Sequence, residues 1–493
     1  AVAFGATSAS GKGLDINSSC TISGNLTTSA NPIIDVASGT TLTYSGAAFA
    51  IAANTLNILG GGTINNSNAI TFTSGKLDVD ASNTISGDIT ISGSATFDIG
   101  GNTLTYSGAA IDVGANTLTL TGTGTITNSN NINLNNTASL IKFAGATLKK
   151  LNQSADAASG KGIDVATTAS TITTFTSGGQ SRIKLGANLT ITDDYNLGAE
   201  TMILSGTSTL GGGKISLNNA DSLIQVTAGC TISSAVAFGA DSNSGKGLDI
   251  DNNCTISGNL TTSSDAIIDV KSGATLTYSG AAFAVAANTL NLVGDGTINN
   301  SNAITFSTGT LDVDGDIEID GAITISGNAT IDIANGKTLD YDGASLAVGT
   351  NTLKFLGTGT LDNANALTFS TGTLDIDNDI EIDGDITISG NATIDIANGK
   401  TLDYDGASLA IGTNTLTFTG GTGATDKGVF DNANALTVST GQITVTNSVE
   451  IDGNITMSGN ATISIANGKT LDYDGASLAI GTNTLTFTGG TGA

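Results

Sequence analysis

The chain has 493 residues, and 43 acidic side chains against 16 basic ones give it a formal net charge of −27. This charge excludes nucleic-acid binding, which needs clustered Lys and Arg, and it also excludes contact with an anionic membrane surface. The chain has no His, which excludes nucleophile systems that depend on an imidazole. Its high content of Thr, Ser, Asn, Asp and Gly is typical of strands and turns, so we expect essentially no helix.

Residues 1–130 form the first part of a larger repeat. Short apolar pairs at i and i+2, separated by polar residues or Gly/Asn turns, are clearest further along the chain, for example Ile380/Ile382 and Ile386/Ile388. This period-two pattern predicts strands with one buried face. A Thr followed by Leu or Ile recurs about every 21 residues, first at Leu42, Ile64, Ile85 and Leu104. Three strand-turn units of about seven residues fit this interval, which predicts an all-β, right-handed, three-sided parallel β-solenoid. We expect one continuous rod over residues 1–493.

The middle of the chain divides into a divergent part and a duplicated part. Residues 131–234 diverge most from the repeat and contain Arg182, the only arginine. Residues 235–310 duplicate the first part, because Ala1–Asp80 and Ala235–Asp314 align without gaps at an offset of 234 residues. The string SGKG predicts a longer turn at Ser10, Ser159 and Ser244.

Residues 311–493 carry the most regular and most acidic repeats. The segment Asp316–Leu353 returns almost unchanged as Asp379–Leu416, 63 residues later, which predicts a unit of three coils. Additional residues around Thr422–Phe430 predict an extended corner. The closing string copies Gly412–Ala424, where the chain goes on, so we expect this sequence to be a section of a longer protein.

Two runs indicate a family resemblance. NTLTLTGTGTITNSN (Asn116–Asn130) and GGGTINNSNAITF (Gly60–Phe72) resemble the β-solenoid repeats of large secreted proteins, namely filamentous haemagglutinin-type adhesins and autotransporter passenger domains. The resemblance covers nearly the whole chain. It implies an extracellular, cell-surface location and adhesive or structural work. We therefore expect a structural rod in a cell-surface fibre, filament or adhesin stalk, which self-associates or continues as the same long chain.

Carboxylates are abundant, but they recur in copies at exposed alternating positions, so we expect no catalytic site and no enzyme activity. The string DIDNDIEIDGD resembles a calcium loop, and its weak Ca²⁺ candidates are Asp375, Asp377, Asp379, Glu381, Asp383 and Asp385. It departs from the EF-hand, because Ile380 stands where Gly is required and Ile386 where the bidentate Glu belongs. The simpler interpretation is that these acids form the outward half of a strand. No cofactor is then expected, and Ca²⁺ stays an alternative.

The alternative function is a solenoid whose lateral faces bind a ligand directly: a glycan, Ca²⁺ or ice. Thr-x-Thr pairs, which could form a flat ice-binding array, occur at Thr41/Thr43, Thr103/Thr105, Thr275/Thr277, Thr415/Thr417 and Thr484/Thr486. However, Thr suits the exposed side of any strand. Corresponding positions also hold Asp340 and Asp403, which interrupt the array.

The three cysteines predict a covalent link. Cys230 and Cys254 both begin the string CTIS, 24 residues apart, which is one coil plus a slightly longer turn. In the same phase of adjacent coils their Cα atoms would lie roughly 4.8 Å apart, within the range of a disulfide. Cys20 is the copy of Cys254, and we expect its partner outside this section. The competing interpretation is three buried thiols that act as small apolar residues.

Overall fold

The computed structural model describes residues 1–9, 13–421 and 425–489, and these residues contain no helix. They form an all-β parallel solenoid of about 22 turns with a spacing of about 22 residues. The predicted fold class is confirmed, with coils slightly longer than the predicted 21 residues, and the handedness stays a prediction. Parts of the SGKG turn at Ser10, of the corner around Thr422–Phe430 and of the closing repeat lie outside the described residues.

The chain divides into two compact units, Ala1–Ala237 and Phe238–Ala493. In most coils of each unit, a strand pairs in parallel with the strand three places later in the sequence, for example Leu56 of one coil with Leu77 of the next. Three stacks of strands result, which we call the first, second and third sheets. The single continuous rod over residues 1–493 stays a prediction.

In the first unit the three sheets contain the following strands. The first sheet consists of β2 (Leu14–Ile16), β5 (Ile33–Val36), β8 (Thr55–Ile58), β11 (Lys76–Val79), β14 (Ala95–Asp98), β17 (Thr117–Thr121), β20 (Leu140–Ala144), β22 (Gly162–Val165), β24 (Ser181–Leu185), β27 (Thr201–Gly206) and β30 (Leu223–Val226). The second consists of β3 (Cys20–Ile22), β6 (Thr41–Tyr44), β9 (Thr63–Asn66), β12 (Asn83–Ile85), β15 (Thr103–Tyr106), β18 (Thr125–Asn128), β21 (Thr147–Gln153), β23 (Ser170–Ser177), β25 (Leu189–Ile191), β28 (Thr209–Gly212) and β31 (Cys230–Ile232). The third consists of β1 (Val2–Phe4), β4 (Leu26–Thr28), β7 (Phe49–Ile51), β10 (Ile70–Phe72), β13 (Ile89–Ile91), β16 (Ile111–Asp112), β19 (Ile132–Leu134), β26 (Tyr195–Leu197) and β29 (Ile215–Leu217). The end of the long strand β21 pairs with β19, and β32 (Val236–Phe238) crosses the boundary of the two units.

The second unit repeats this arrangement. Its first sheet consists of β33 (Gly247–Ile250), β36 (Ala266–Val270), β39 (Thr289–Val293), β42 (Thr310–Val313), β45 (Ala329–Ile333), β48 (Thr352–Phe355), β51 (Thr373–Ile376), β54 (Ala392–Ile396), β57 (Thr415–Gly420), β60 (Gln442–Val445), β63 (Ala461–Ile465) and β66 (Leu485–Gly489). Its second consists of β34 (Cys254–Ile256), β37 (Thr275–Tyr278), β40 (Thr297–Asn300), β43 (Ile317–Ile319), β46 (Thr338–Tyr341), β49 (Thr360–Asn363), β52 (Ile380–Ile382), β55 (Thr401–Tyr404), β58 (Gly428–Asn432), β61 (Val449–Ile451) and β64 (Leu471–Tyr473). Its third consists of β35 (Leu260–Thr262), β38 (Phe283–Ala286), β41 (Ile304–Phe306), β44 (Ile323–Ile325), β47 (Leu346–Gly349), β50 (Leu367–Phe369), β53 (Ile386–Ile388), β56 (Ala410–Gly412), β59 (Leu436–Val438), β62 (Ile455–Met457) and β65 (Leu478–Ala479).

Apolar side chains stack inside each unit as ladders. Leu56, Leu77 and Phe97 occupy the same position on three successive coils of the first sheet, and all three are buried. Each fully buried side chain of this size contributes about 1.5–3 kcal/mol. A single coil exposes both ends of its ladder and therefore cannot fold alone, so each coil depends on its neighbours.

One corner of the coil changes its side chain with a period of three coils. Three successive coils place Ile22, Tyr44 and Asn66 in register there, and Gly87 lies against Asn66 on the next coil. The same Ile–Tyr–Asn succession recurs at Ile85/Tyr106/Asn128, Ile256/Tyr278/Asn300, Ile319/Tyr341/Asn363 and Ile382/Tyr404/Asn432. The side chains of this corner therefore follow the same three-coil period as the sequence.

Polar side chains of this corner bond the backbones of neighbouring coils. The hydroxyl of Tyr404 donates to the carbonyl of Ala407 at 2.7 Å and accepts from the backbone N–H of Ile386 on the preceding coil at 3.1 Å. The side-chain amides of the Asn residues instead donate hydrogen bonds to the following coil. The Nδ2 of Asn300 donates to the carbonyl of Ala322 on the following coil at 3.0 Å. These buried side chains thus satisfy backbone groups at a turn, where no strand pairing can do so.

The extended corner of the second unit leaves the register intact. Tyr341 pairs with Asn363 across 22 positions, whereas Tyr404 pairs with Asn432 across 28. The six additional positions (28 − 22 = 6) therefore fall between β57 and β58. The insertion enlarges one turn and returns the chain to the same ladder.

Candidate functional site

The predicted calcium candidates do not form one loop, and the first two lie on the first sheet. Asp375 projects from β51 and Asp377 follows that strand. Lys354 pairs with both, with its Nζ 3.8 Å from an oxygen of Asp375 and 2.6 Å from an oxygen of Asp377. Burial raises the pKa of Asp375 and Lys354 opposes that rise. A lysine therefore already supplies the counter-charge at this position.

Two further candidates cap turns. Oδ1 of Asp379 accepts the backbone N–H of Thr401 at 2.9 Å, and Oδ1 of Asp385 accepts the backbone N–H of Ala407 at 2.8 Å. Both acceptors lie about one coil away from their donors. These carboxylates serve the backbone of the neighbouring coil, as Asn and Asp side chains commonly do at turns.

The remaining two candidates, Glu381 and Asp383, lie close to Asp405, an acid outside the predicted calcium string. Glu381 projects from β52, and Asp383 lies two residues further on. Asp405 follows Tyr404, the partner of Ile382 on the next coil, so it lies beside Asp383. One carboxylate oxygen from each of the three lies within 4.8 Å of the others. We call such a group an acidic triad.

The acidic triad recurs at equivalent positions of the second unit. Its members are Glu318/Asp320/Asp342, Glu381/Asp383/Asp405 and Glu450/Asp452/Asp474. The Glu carboxylates are partly held by threonines, since Thr360 Oγ1 donates to Glu381 Oε2 at 2.8 Å. In the third triad, Lys427 Nζ lies 2.6 Å from Glu450 Oε2. In this triad, a lysine ammonium group therefore lies where a bound metal ion could otherwise neutralise the acids.

Stacked carboxylates raise one another's pKa along these ladders. Burial, then the charges of Glu381, Asp362 and Asp405, raise the pKa of Asp383 to about 6. The same causes, burial first, raise the pKa of the equivalent Asp320 and Asp452. In-register parallel strands lie about 4.8 Å apart, so identical acids on successive coils repel one another.

On the first sheet, Asp312 stacks directly on Asp332 of the next coil. Burial, followed by the charges of Asp314 and Asp332, raises the pKa of Asp312 to about 6. Both acidic sheets of the second unit therefore store unfavourable charge at neutral pH.

A triad could hold a hard cation through carboxylate oxygens. Ca²⁺ takes six to eight oxygen ligands, so three carboxylates would leave several positions to water. Of the six predicted candidates, only Glu381 and Asp383 share a triad. These two, with Asp405, are the residues best placed to test the calcium alternative.

The predicted cysteine pair belongs to both units. Cys230 begins β31 and Cys254 begins β34, and both side chains are buried. Cys20 begins the equivalent strand β3 and is exposed. Cys230 lies in the first unit and Cys254 in the second, and the disulfide between them stays a prediction.

The threonine pairs lie on two different sheets. Thr41/Thr43 and Thr103/Thr105 belong to the second sheet, where Thr41 stacks on Thr63 of the next coil. Thr415/Thr417 belong to the first sheet. In the second unit Asp340 and Asp362 stack in the second sheet. The acids therefore interrupt the threonine ladders, as the sequence predicts.

Comparison of the chain with protein-family models, curated proteins and solved structures gives no match. The parallel solenoid itself rests on the strand pairing, whereas the resemblance to adhesins and passenger domains rests on sequence pattern alone. Within the described ranges, no helix is both long enough and apolar enough to cross a membrane.

Proposed function

We propose that the chain is an extracellular structural element of a cell-surface fibre, filament or adhesin stalk. One observation carries the proposal: successive coils repeat the same interior and the same bonded corner. A structure built this way gains length with every coil while each coil keeps the same neighbours. The resemblance to filamentous haemagglutinin-type adhesins and autotransporter passenger domains supports the extracellular location.

The surface chemistry supports a spacer that stays apart from other molecules. Parallel strands in a solenoid pair with the coils before and after them, so few unpaired edges lie along its sides. The net charge of −27 repels other copies and keeps the sides soluble. Self-association would then use the coil ends, or the chain would continue as more of the same repeat.

Immunogold electron microscopy on the intact cells that produce the protein tests this proposal. Antibodies against the purified chain should label projecting fibres at the cell surface, and excess purified chain should abolish that label. Label confined to the cell interior would contradict the location. Dispersed monomers in the medium, with bare cells, would contradict the fibre.

Two predictions accompany the structural role. The chain is expected to have no enzyme activity, because its acids recur in copies and it has no His. The alternative function, in which the lateral faces bind a glycan, Ca²⁺ or ice, also stays a prediction. For Ca²⁺, equilibrium dialysis should compare the chain with Glu381→Gln/Asp383→Asn, using Asp377→Asn, whose partner is Lys354, as the control. Equal binding by all three proteins would remove the triad from consideration.

A further inference from the structure

A cleft of about 300 Å³ in the first unit gathers basic side chains in an otherwise acidic protein. The turn that precedes β22 contributes to its wall, together with side chains of β22, β24 and β27. The polar lining residues used below are Ser159, Lys161, Asp164, Arg182, Lys184 and Ser205. Three cations and one acid give the cleft a charge of 3 − 1 = +2, against −27 for the whole chain.

Register and hydrogen bonding position these groups. Asp164 stacks on Lys184, and Lys184 on Ser205, along three successive strands of the first sheet. The Nε of Arg182 donates to the carbonyl of Ala157 at 2.9 Å, which fixes the guanidinium at the wall. The planar guanidinium has further N–H groups that match a carboxylate.

Asp164 supplies an acceptor that the protein leaves unused. Its Oδ1 is buried and has no hydrogen-bond partner. The nearest cation, Lys184 Nζ, lies 3.8 Å away, which is too far for a hydrogen bond. A buried acceptor without a donor is costly. A ligand that brings a hydroxyl to this position would remove that cost.

The second unit contains the same turn, with Lys246 in place of Lys161, but lacks the two basic residues of the strand that stacks on it. Gly162 and Gly247, which end the two SGKG strings, have φ values of 90° and 91°. On the following strand, Ile267 and Asp269 stand where the first unit has Arg182 and Lys184. The turn therefore folds without these basic residues. Their presence on only one of the two equivalent strands needs a reason other than the fold.

We propose that this cleft binds an acidic sugar, that is, a saccharide unit carrying a carboxylate. Arg182, Lys184 and Lys161 pair with the carboxylate, and Asp164 accepts a hydrogen bond from a ring hydroxyl. The hydroxyls of Ser159 and Ser205 bond further sugar oxygens. The volume of about 300 Å³ lies at the small end of ligand pockets and suits one sugar ring. This site is independent of the structural role proposed above.

Calorimetric titration of the whole chain with three probes tests the ligand class. D-Glucuronate should bind saturably with one site per chain. D-Glucose, which lacks the carboxylate, should bind at least about tenfold more weakly, as expected when a charged contact is lost. Inorganic phosphate has the charge but no sugar hydroxyls and should also bind more weakly. Phosphate binding as tight as glucuronate binding would overturn the sugar assignment, and no glucuronate binding would overturn the site.

The second unit supplies the matched variant. Arg182→Ile/Lys184→Asp gives the cleft the residues of the equivalent strand, so the protein should keep its circular dichroism spectrum. Its melting temperature should fall only slightly, because no lysine pairs with the two stacked acids as Lys271 does in the second unit. Its affinity for glucuronate should fall at least about tenfold. Lys161→Ala, on the turn itself, should also weaken binding, whereas Lys246→Ala at the equivalent turn should not. Unchanged binding by the folded double variant or by Lys161→Ala would refute the proposal.

Discussion

The hydroxyl of Tyr106 joins two neighbouring coils and can be removed without changing the ring. It donates to the carbonyl of Ala109 at 2.7 Å and accepts the backbone N–H of Ile89 at 3.1 Å. The side chain is 1% exposed. Tyr106→Phe therefore deletes two hydrogen bonds while the apolar ladder keeps its shape.

The expected cost follows from which partner can reach water. Ile89 is buried, so its N–H would lose its partner, which costs about 1–3 kcal/mol. Ala109 is exposed, and water can replace the lost bond there, so that bond is worth about 1 kcal/mol at most. We expect about 2–3 kcal/mol in total. Because each coil interacts mainly with its neighbours, this loss should appear as local opening of these coils.

Amide hydrogen exchange at Ser92, which follows the strand that Ile89 begins and keeps its bond to the carbonyl of Phe72, measures the local opening. A loss of about 2–3 kcal/mol predicts exchange about 30- to 150-fold faster than in the unchanged protein. Tyr195→Phe is the control, because the hydroxyl of Tyr195 is buried without a hydrogen bond of normal geometry, near the hydroxyls of Ser177 and Ser181. Unchanged exchange at Ser92, or equal acceleration there by Tyr195→Phe, would refute the argument.

Three further predictions concern charge, packing and covalent structure. Asp312 has a pKa raised to about 6 in the folded chain, so its stabilising contribution is full below about pH 3.8 and is lost as the pH rises through about 6. The thermal midpoint of the second unit should therefore fall between about pH 4 and about pH 7. Asp312→Asn should remove about 1 kcal/mol of that change after allowance for solvent screening, and an identical pH profile would count against this. Gly87→Ala should destabilise the first unit by more than about 2 kcal/mol, because the new Cβ would collide with the backbone oxygen of Asn66. Gly198→Ala has open space and should stay within about 0.5 kcal/mol in the same denaturant titration; equal effects would show that the close approach is not limiting. Mass spectrometry of a non-reduced digest should yield a peptide linking Cys230 to Cys254, whereas two separate thiol peptides would contradict the disulfide.

The sequence predicted the solenoid because its signal is local. Alternation such as Leu402 and Tyr404 around the half-buried Asp403 specifies a strand with one buried face, whatever lies beside it. The recurring interval then limits the connection between strands to a short turn, which excludes helical crossovers. The predicted coil of about 21 residues is slightly shorter than the observed spacing of about 22, because turns of different lengths contribute to that spacing.

The sequence pattern does not predict which acids form a triad. Residues Asp375–Asp385 are contiguous in sequence, so their acids resemble a calcium loop or, more simply, the outward half of a strand. The fold places Asp375 on one sheet and Glu381 on another, because a turn intervenes after every few residues. Asp405, which completes the triad, is 22 positions from Asp383. No short motif contains both.

By itself, the sequence determined the strands, the repeat, the acidic character and the three-coil period. Only the tertiary structure decided which side chains meet, because partners lie on neighbouring coils and the register of the ladder selects them. The hydroxyl of Tyr106 reaches Ile89 across 17 positions, although the sequence suggests only another buried aromatic residue. Likewise, nothing in the sequence connects Arg182 and Lys184 with Asp164. The pairing of β24 with β22 places them side by side. Alternation is fixed by local backbone geometry, whereas contact between coils depends on the length of every intervening turn.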